Sequence, residues 1–239
     1  MSVIPAFVRV KLGRIDQAIS TIESSGDHLE VADAYSTLVK RAYRELRDVA
    51  AMIALAEAAC HFCLRDAAQA VGADAMRLKQ SAKTIAYNAA ANCWPGWGDE
   101  GVVISAEHVH AGLKLAQLSR SLVQELDLGD KALGTAHWLI GALELASGQL
   151  CDAATSLSRA EEAFHAHGDN ACVLMAQGYR VLARQMDQRA DAESEARLAH
   201  ILDQLRDDGS KEASFFAEQI VRARPLLAAF VAGASAHGP

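Results

Sequence analysis

Two thiols stand three residues apart in Cys60-His61-Phe62-Cys63, hence on one face of any helix that carries them, a geometry that suits a soft metal ion. A structural zinc site takes four ligands, and no second Cys or His pair of matching spacing follows. These thiols are therefore expected to be reduced and packed against helical neighbours. His108 and His110, two apart, point to different faces of a helix and do not chelate together. His165 and His167 close a helical stretch, where imidazole suits the negative end of the helix dipole. Gly96-Trp97-Gly98 lacks the strand-to-helix context of a phosphate-cradling loop. The carboxylates Glu161, Glu162, Asp187, Asp191, Glu193 and Glu195 interleave with Arg189 and Arg197 as solvated helix faces do. No catalytic residue, metal site or cofactor is expected, and the chain reads as a binding protein rather than an enzyme.

Binding chemistry is carried by three other features. The segment Asn92-Cys-Trp-Pro-Gly-Trp-Gly-Asp-Glu-Gly101 holds two of the three tryptophans, Trp94 and Trp97, around a Pro-Gly turn. Its rings either plug a gap between helices or meet a ligand, as aromatic loops on rigid scaffolds do. Asn88 and Asn92 are four apart, as are Arg180 and Arg184, so each pair shares a helix face and can present donors to a peptide or its carboxylate.

The elements that must position these groups are helical. Hydrophobic residues make up 51% of the 239, with alanine dominant and aromatics only 5%, which favours closely packed helices over sheets. The four prolines, Pro5, Pro95, Pro225 and Pro239, lie near the ends or in the tryptophan loop. Apolar periodicity predicts helices over 5–24, 27–45, 48–71, 74–93, 105–127, 131–147, 150–167, 170–186, 189–207 and 211–232. They surround an irregular loop over 94–104, and a capping helix and tail over 211–239 close the chain. Gly26-Asp27, Gly129-Asp130 and Gly168-Asp169 are read as breaks in which Gly ends one helix and Asp caps the next, and Asp208-Gly209-Ser210 as a fourth.

An internal repeat runs through these elements. Gly148, Ala153, Leu157 and Ala160 lie at offsets of 5, 9 and 12 from the glycine. The same offsets give Gly13, Ala18, Ile22 and Ser25, then Leu46, Ala51, Leu55 and Ala58, then Asp187, Ala192, Ala196 and Ala199. These offsets share one helix face and put small residues where a neighbouring helix comes close. With Trp138 and Gly141 in the preceding helix, the stretch from Ala136 to Asp169 resembles the tetratricopeptide repeat, a helix–turn–helix of about 34 residues. The resemblance, degenerate but spread over most of the chain, implies an all-α fold: one right-handed solenoid of about ten helices in antiparallel hairpins, spanning 1–239. It further implies a concave peptide-binding face bearing Asn88, Asn92, Trp138, Arg180 and Arg184, similar to the carboxylate clamp of some family members, with Trp94 and Trp97 beside it. His137 or Thr135 stands where that clamp has a further amide.

The net charge of −7, with no Lys/Arg run, speaks against nucleic acid as a partner. The N-terminal residues lack a basic region followed by a long apolar core, and the apolar stretch 226–236 is too short to span a bilayer, so neither a secretory signal nor a membrane anchor is expected. Five cysteines without framework spacing suggest a reducing cytoplasm. The expected function is an adaptor that binds a peptide or protein segment. The rivals are a self-associating homodimer and a small-molecule or catalytic domain with Trp94, Trp97 and Trp138 lining its pocket.

Overall fold

The computed structural model describes residues 3–24, 26–188 and 190–236, so Ser25 of the repeat series and Arg189 of the charged face lie outside the described residues. The fold is all-α: eleven α-helices and a one-turn 3₁₀ helix, with no strand among the described residues. The chain separates into two compact units. The first comprises residues 1–93 and 100–127, and the second comprises 94–99 and 128–239.

The first unit holds α1 (Ile4–Lys11), α2 (Ile15–Glu23), α3 (His28–Arg44), α4 (Val49–Ala67), α5 (Ala73–Asn92) and α6 (Ala106–Glu125). One helix expected over 5–24 is two, because Gly13 takes φ +70° and its N–H turns back to the Val10 carbonyl at 2.9 Å. Asp27 caps α3 through the Leu29 and Glu30 N–H groups at 2.9 and 3.0 Å, and Asp48 caps α4 through Ala51 N–H at 2.8 Å. From α3 onward each helix packs on the next, and α3 on α5 and α4 on α6 as well. Ala18, Ile22, Ala51 and Leu55 are buried, as the offsets require.

The second unit holds the 3₁₀ turn (Pro95–Trp97), α7 (Gly129–Ala146), α8 (Leu150–His167), α9 (Asn170–Gln188), α10 (Ala192–Asp207) and α11 (Lys211–Ala236). The α7–α8 hairpin has the closest packing that the repeat calls for. Ala153, Leu157 and Ala160 are all 0% exposed, and a Cβ built on Gly141 would stand 2.6 Å from Leu157 Cγ and 3.3 Å from the Ala153 carbonyl oxygen. Asp169 caps α9 through Cys172 N–H at 3.1 Å and holds Lys131 at 2.7 Å.

Two local expectations change. Gly129 takes the expected positive φ of +79° but is the first residue of α7, and Asp130 lies in its first turn without capping it, the chain having already turned at Asp127 with φ 48°. The fourth repeat series is out of register: Ala192, Ala196 and Ala199 are exposed. The buried face of α10 carries Ser194, Leu198 and Ile201, the same spacing two residues later. The reason is side-chain size, since Leu198, Ile201 and Leu205 are large apolar residues and take the core, while Asp191 and Ser194 exchange hydrogen bonds at the start of α10.

Replacing Ala153 with Leu should overpack the α7–α8 contact and cost about 1–3 kcal/mol. A denaturation curve that superimposes on wild type would remove this assignment of the contact face.

Candidate functional site

In the second unit Trp94 is 1% exposed and forms the centre of an aromatic cluster. Its ring lies 4.9 Å from Trp97 at 90°, 5.9 Å from Trp138 at 70° and 5.8 Å from Tyr179 at 57°, and Trp138 meets Tyr179 at 5.5 Å and 83°. Apart from the tilted Trp94–Tyr179 pair, these are the edge-to-face arrangements that ring quadrupoles favour. The Pro95-Gly96 turn makes this possible, because the Trp94 indole folds back onto Gly96. A Cβ there would stand 2.2 Å from Cζ2. Leu226 of α11 closes over Gly98. Trp94 and Trp138 are therefore core residues, which removes them from the expected binding face. Trp97 is half-buried against Trp94.

Tyr179 was not singled out from the sequence, although Cys172, Met175, Ala176, Tyr179 and Ala183 recur at helical spacing on the buried side of α9. Burial pushes its phenol well above the ordinary value, so it stays protonated. Its hydroxyl and the indole N–H groups of Trp94 and Trp138 are buried without hydrogen-bond partners. Each such group costs about 1–3 kcal/mol, which ring burial must offset.

A different face of α9 carries the arginine pair. Arg180 and Arg184 line a groove of about 320 Å³ with Arg197 of α10 and Gln177, over an apolar floor that includes Ala154 and Val181. Arg180 and Gln177 both reach Glu161 of α8, the latter at 2.8 Å. Arg184 stands 3.6 Å from both Asp191 and Glu193, whose side chains are 55% and 78% exposed. Asp187 is the acidic residue in the lining. Exposed pairs of this kind contribute about 0–1 kcal/mol each and exchange readily with another carboxylate.

Asn88 and Asn92 lie in the first unit. Both are half-buried, and Asn92 Nδ2 faces Met52 Sδ at 3.6 Å. The structure thus groups the expected site residues into an aromatic core, an arginine groove and an asparagine pair.

The other candidate ligands are dispersed. Cys60, Cys63, Cys93 and Cys172 are buried, which pushes each thiol up to about 12. Cys151, at the edge of the arginine groove, is exposed. His108 serves as a cap: its Nδ1 accepts from Ser105 N–H at 3.2 Å while Ser105 Oγ accepts from His108 N–H at 3.2 Å. Among the described residues no three His, Cys, Asp or Glu side chains are grouped to hold a metal ion, and no helix is long and apolar enough to cross a membrane. A contact that no motif announces joins His28 and Arg65 on the buried carboxylate of Asp66, the latter at 2.7 Å. Burial alone would raise that carboxyl, but the two hydrogen bonds outweigh it and hold it below the ordinary range.

No protein-family model, curated protein or solved structure matches the chain.

Trp94→Ala should lower stability by about 3–5 kcal/mol, whereas Tyr179→Phe should leave it unchanged or raise it, since it deletes a buried unpaired hydroxyl. Chemical denaturation of the two variants checks both signs. A thiol reagent at pH 8 should modify Cys151 quickly and the other four cysteines only on unfolding, because buried thiols near 12 supply almost no thiolate. Mass-spectrometric mapping of fast labelling at Cys60 or Cys63 would contradict that account.

Proposed function

We propose that the chain is a protein-interaction module, a cytoplasmic adaptor built of stacked hairpins of tetratricopeptide type, whose second unit binds an acidic peptide segment in the arginine groove. The observation that supports this is the convergence of Arg180, Arg184 and Arg197 from two helices on one groove with an apolar floor. Guanidinium groups bind carboxylates through paired, charge-assisted hydrogen bonds, and the floor accepts an aliphatic side chain beside them. Asp187 at the edge disfavours basic segments. The exposed carboxylates of Asp191 and Glu193, now held by Arg184, act as internal stand-ins that a peptide carboxylate displaces, while the half-buried Glu161 keeps Arg180 in place. The buried tryptophans support the groove from within α9's other side and make no contact with the peptide.

Cys151 offers a reporter position, being exposed at the groove edge. With a fluorophore there, a peptide library of varied charge should show saturable binding only for acidic members, weakened by added salt. The Arg180→Ala, Arg184→Ala double variant should lose about tenfold or more in affinity, given about 1.5–3 kcal/mol per charge-assisted bond, with an unaltered melt. Equal binding of acidic peptides by wild type and double variant would reject the groove as the site.

A further inference from the structure

The side of α9 turned toward α11 changes character along its length. At Gly178 the two helices are in the tightest contact: a Cβ there would stand 2.6 Å from Ile220 Cδ1. Two turns further on they separate around a groove of about 410 Å³. Its floor is Leu182 and Leu227, both buried, and its walls include Met186 and Val231. Pro225 lies inside α11 at the start of this opening, where it has no N–H for the Val221 carbonyl and interrupts the helical ladder. The volume lies within the range of small-molecule sites, and Met supplies a wall that adapts to ligand shape.

Among the described residues, one charged side chain lines this groove. Arg224 lines it, with a guanidinium that is 41% exposed and paired with Glu195, whose side chain is 45% exposed. Gln185, 8% exposed, is the other polar lining residue, and its amide is directed to Ser194 Oγ at 3.4 Å. An apolar trough with a guanidinium at its side is complementary to one kind of molecule. We propose that this groove binds a medium-chain aliphatic carboxylate, its chain lying between Leu182, Met186, Leu227 and Val231 and its carboxylate taking the place of Glu195 on Arg224. The exchange keeps the guanidinium paired, and an exposed ion pair costs little to break. The net gain comes from the chain leaving water, which amounts to about 0.8 kcal/mol, or about fourfold in affinity, for each methylene buried. The site is separate from the arginine groove and stands whether or not that groove binds peptide.

The test uses sodium hexanoate, octanoate and decanoate, with 1-octanol as the uncharged control, titrated calorimetrically into the full chain. Affinity should rise about fourfold per methylene until the groove is full, and Arg224→Gln should weaken octanoate about tenfold while leaving 1-octanol unchanged. Ala228→Trp, which puts a bulky ring at the groove's edge, should abolish binding of both, with a thermal melt showing that the variant is folded. Octanoate binding that survives in Ala228→Trp would place the ligand elsewhere and overturn the proposal. So would affinity that is flat with chain length, absence of saturable binding in wild type, or equal loss of octanoate and 1-octanol in Arg224→Gln.

Discussion

Leu157 occupies the space that a side chain at residue 141 would need, 2.6 Å from the position of a Cβ. This close approach of α7 and α8 is the constraint on which the second unit rests. Two helices can lie at such a distance only if one surface is locally flat, which glycine and alanine supply. Gly141, Ala153 and Ala160 do so here, and the long side chain at 157 then fills the groove between backbones. Similar contacts recur at Gly112 against Cys93 in the first unit and at Gly178 against Ile220 in the second. In the α7–α8 seam two glycines thus face large apolar residues, Gly141 against Leu157 and Gly134 against Phe164. The aromatic cluster of Trp94, Trp138 and Tyr179 lies in the core of the same unit.

That cluster trades polarity for volume. Three buried donors without partners are a cost that an all-aliphatic core would avoid, yet large rings fill an irregular gap with few side-chain torsions. The loop that delivers Trp94 is bent by Pro95 and Gly96 so that the ring returns onto its own backbone. The result ties residues 94–99 to the second unit. Burying the aromatic rings on one side of α9 leaves its arginines to a second face and Leu182 and Met186 to a third, where the arginine groove and the apolar groove lie. One helix thus presents three surfaces of different chemistry, and its helical period keeps them apart.

Of the residues singled out for binding, the arginine pair was legible because four residues apart means one helix face wherever the helix packs. Its third member, Arg197, comes from α10 and carries no local signal that it joins the other two. The tryptophans were legible as a defined turn but not as core, since a Pro-Gly turn can carry a ring outward or fold it inward. Tyr179 and Leu226, remote in the chain, decide between the two by the space they leave and fill. The apolar groove of α9 and α11 had no sequence signature at all. It lies between two helices that meet closely at Gly178, and both contribute to its lining further along.

By itself the sequence determined the all-α class, most helix boundaries and the small-residue faces of α2, α4 and α8. Each of these depends on interactions within one turn or a few: caps, period, and the size of side chains at three and four residues' distance. It could not determine the break at Gly13 or the register of α10. At Gly13 a local turn competes with a continuous apolar period, and hydrogen bonds to near neighbours decide the outcome. In α10 an alanine face competes with the larger Leu198, Ile201 and Leu205, which packing selects. Tertiary structure alone decided which aromatic rings are core, which carboxylates hold Arg180 and Arg184, and where a gap is left between helices. Those outcomes depend on distances between residues tens of positions apart, and a linear pattern of polar and apolar side chains does not encode such distances.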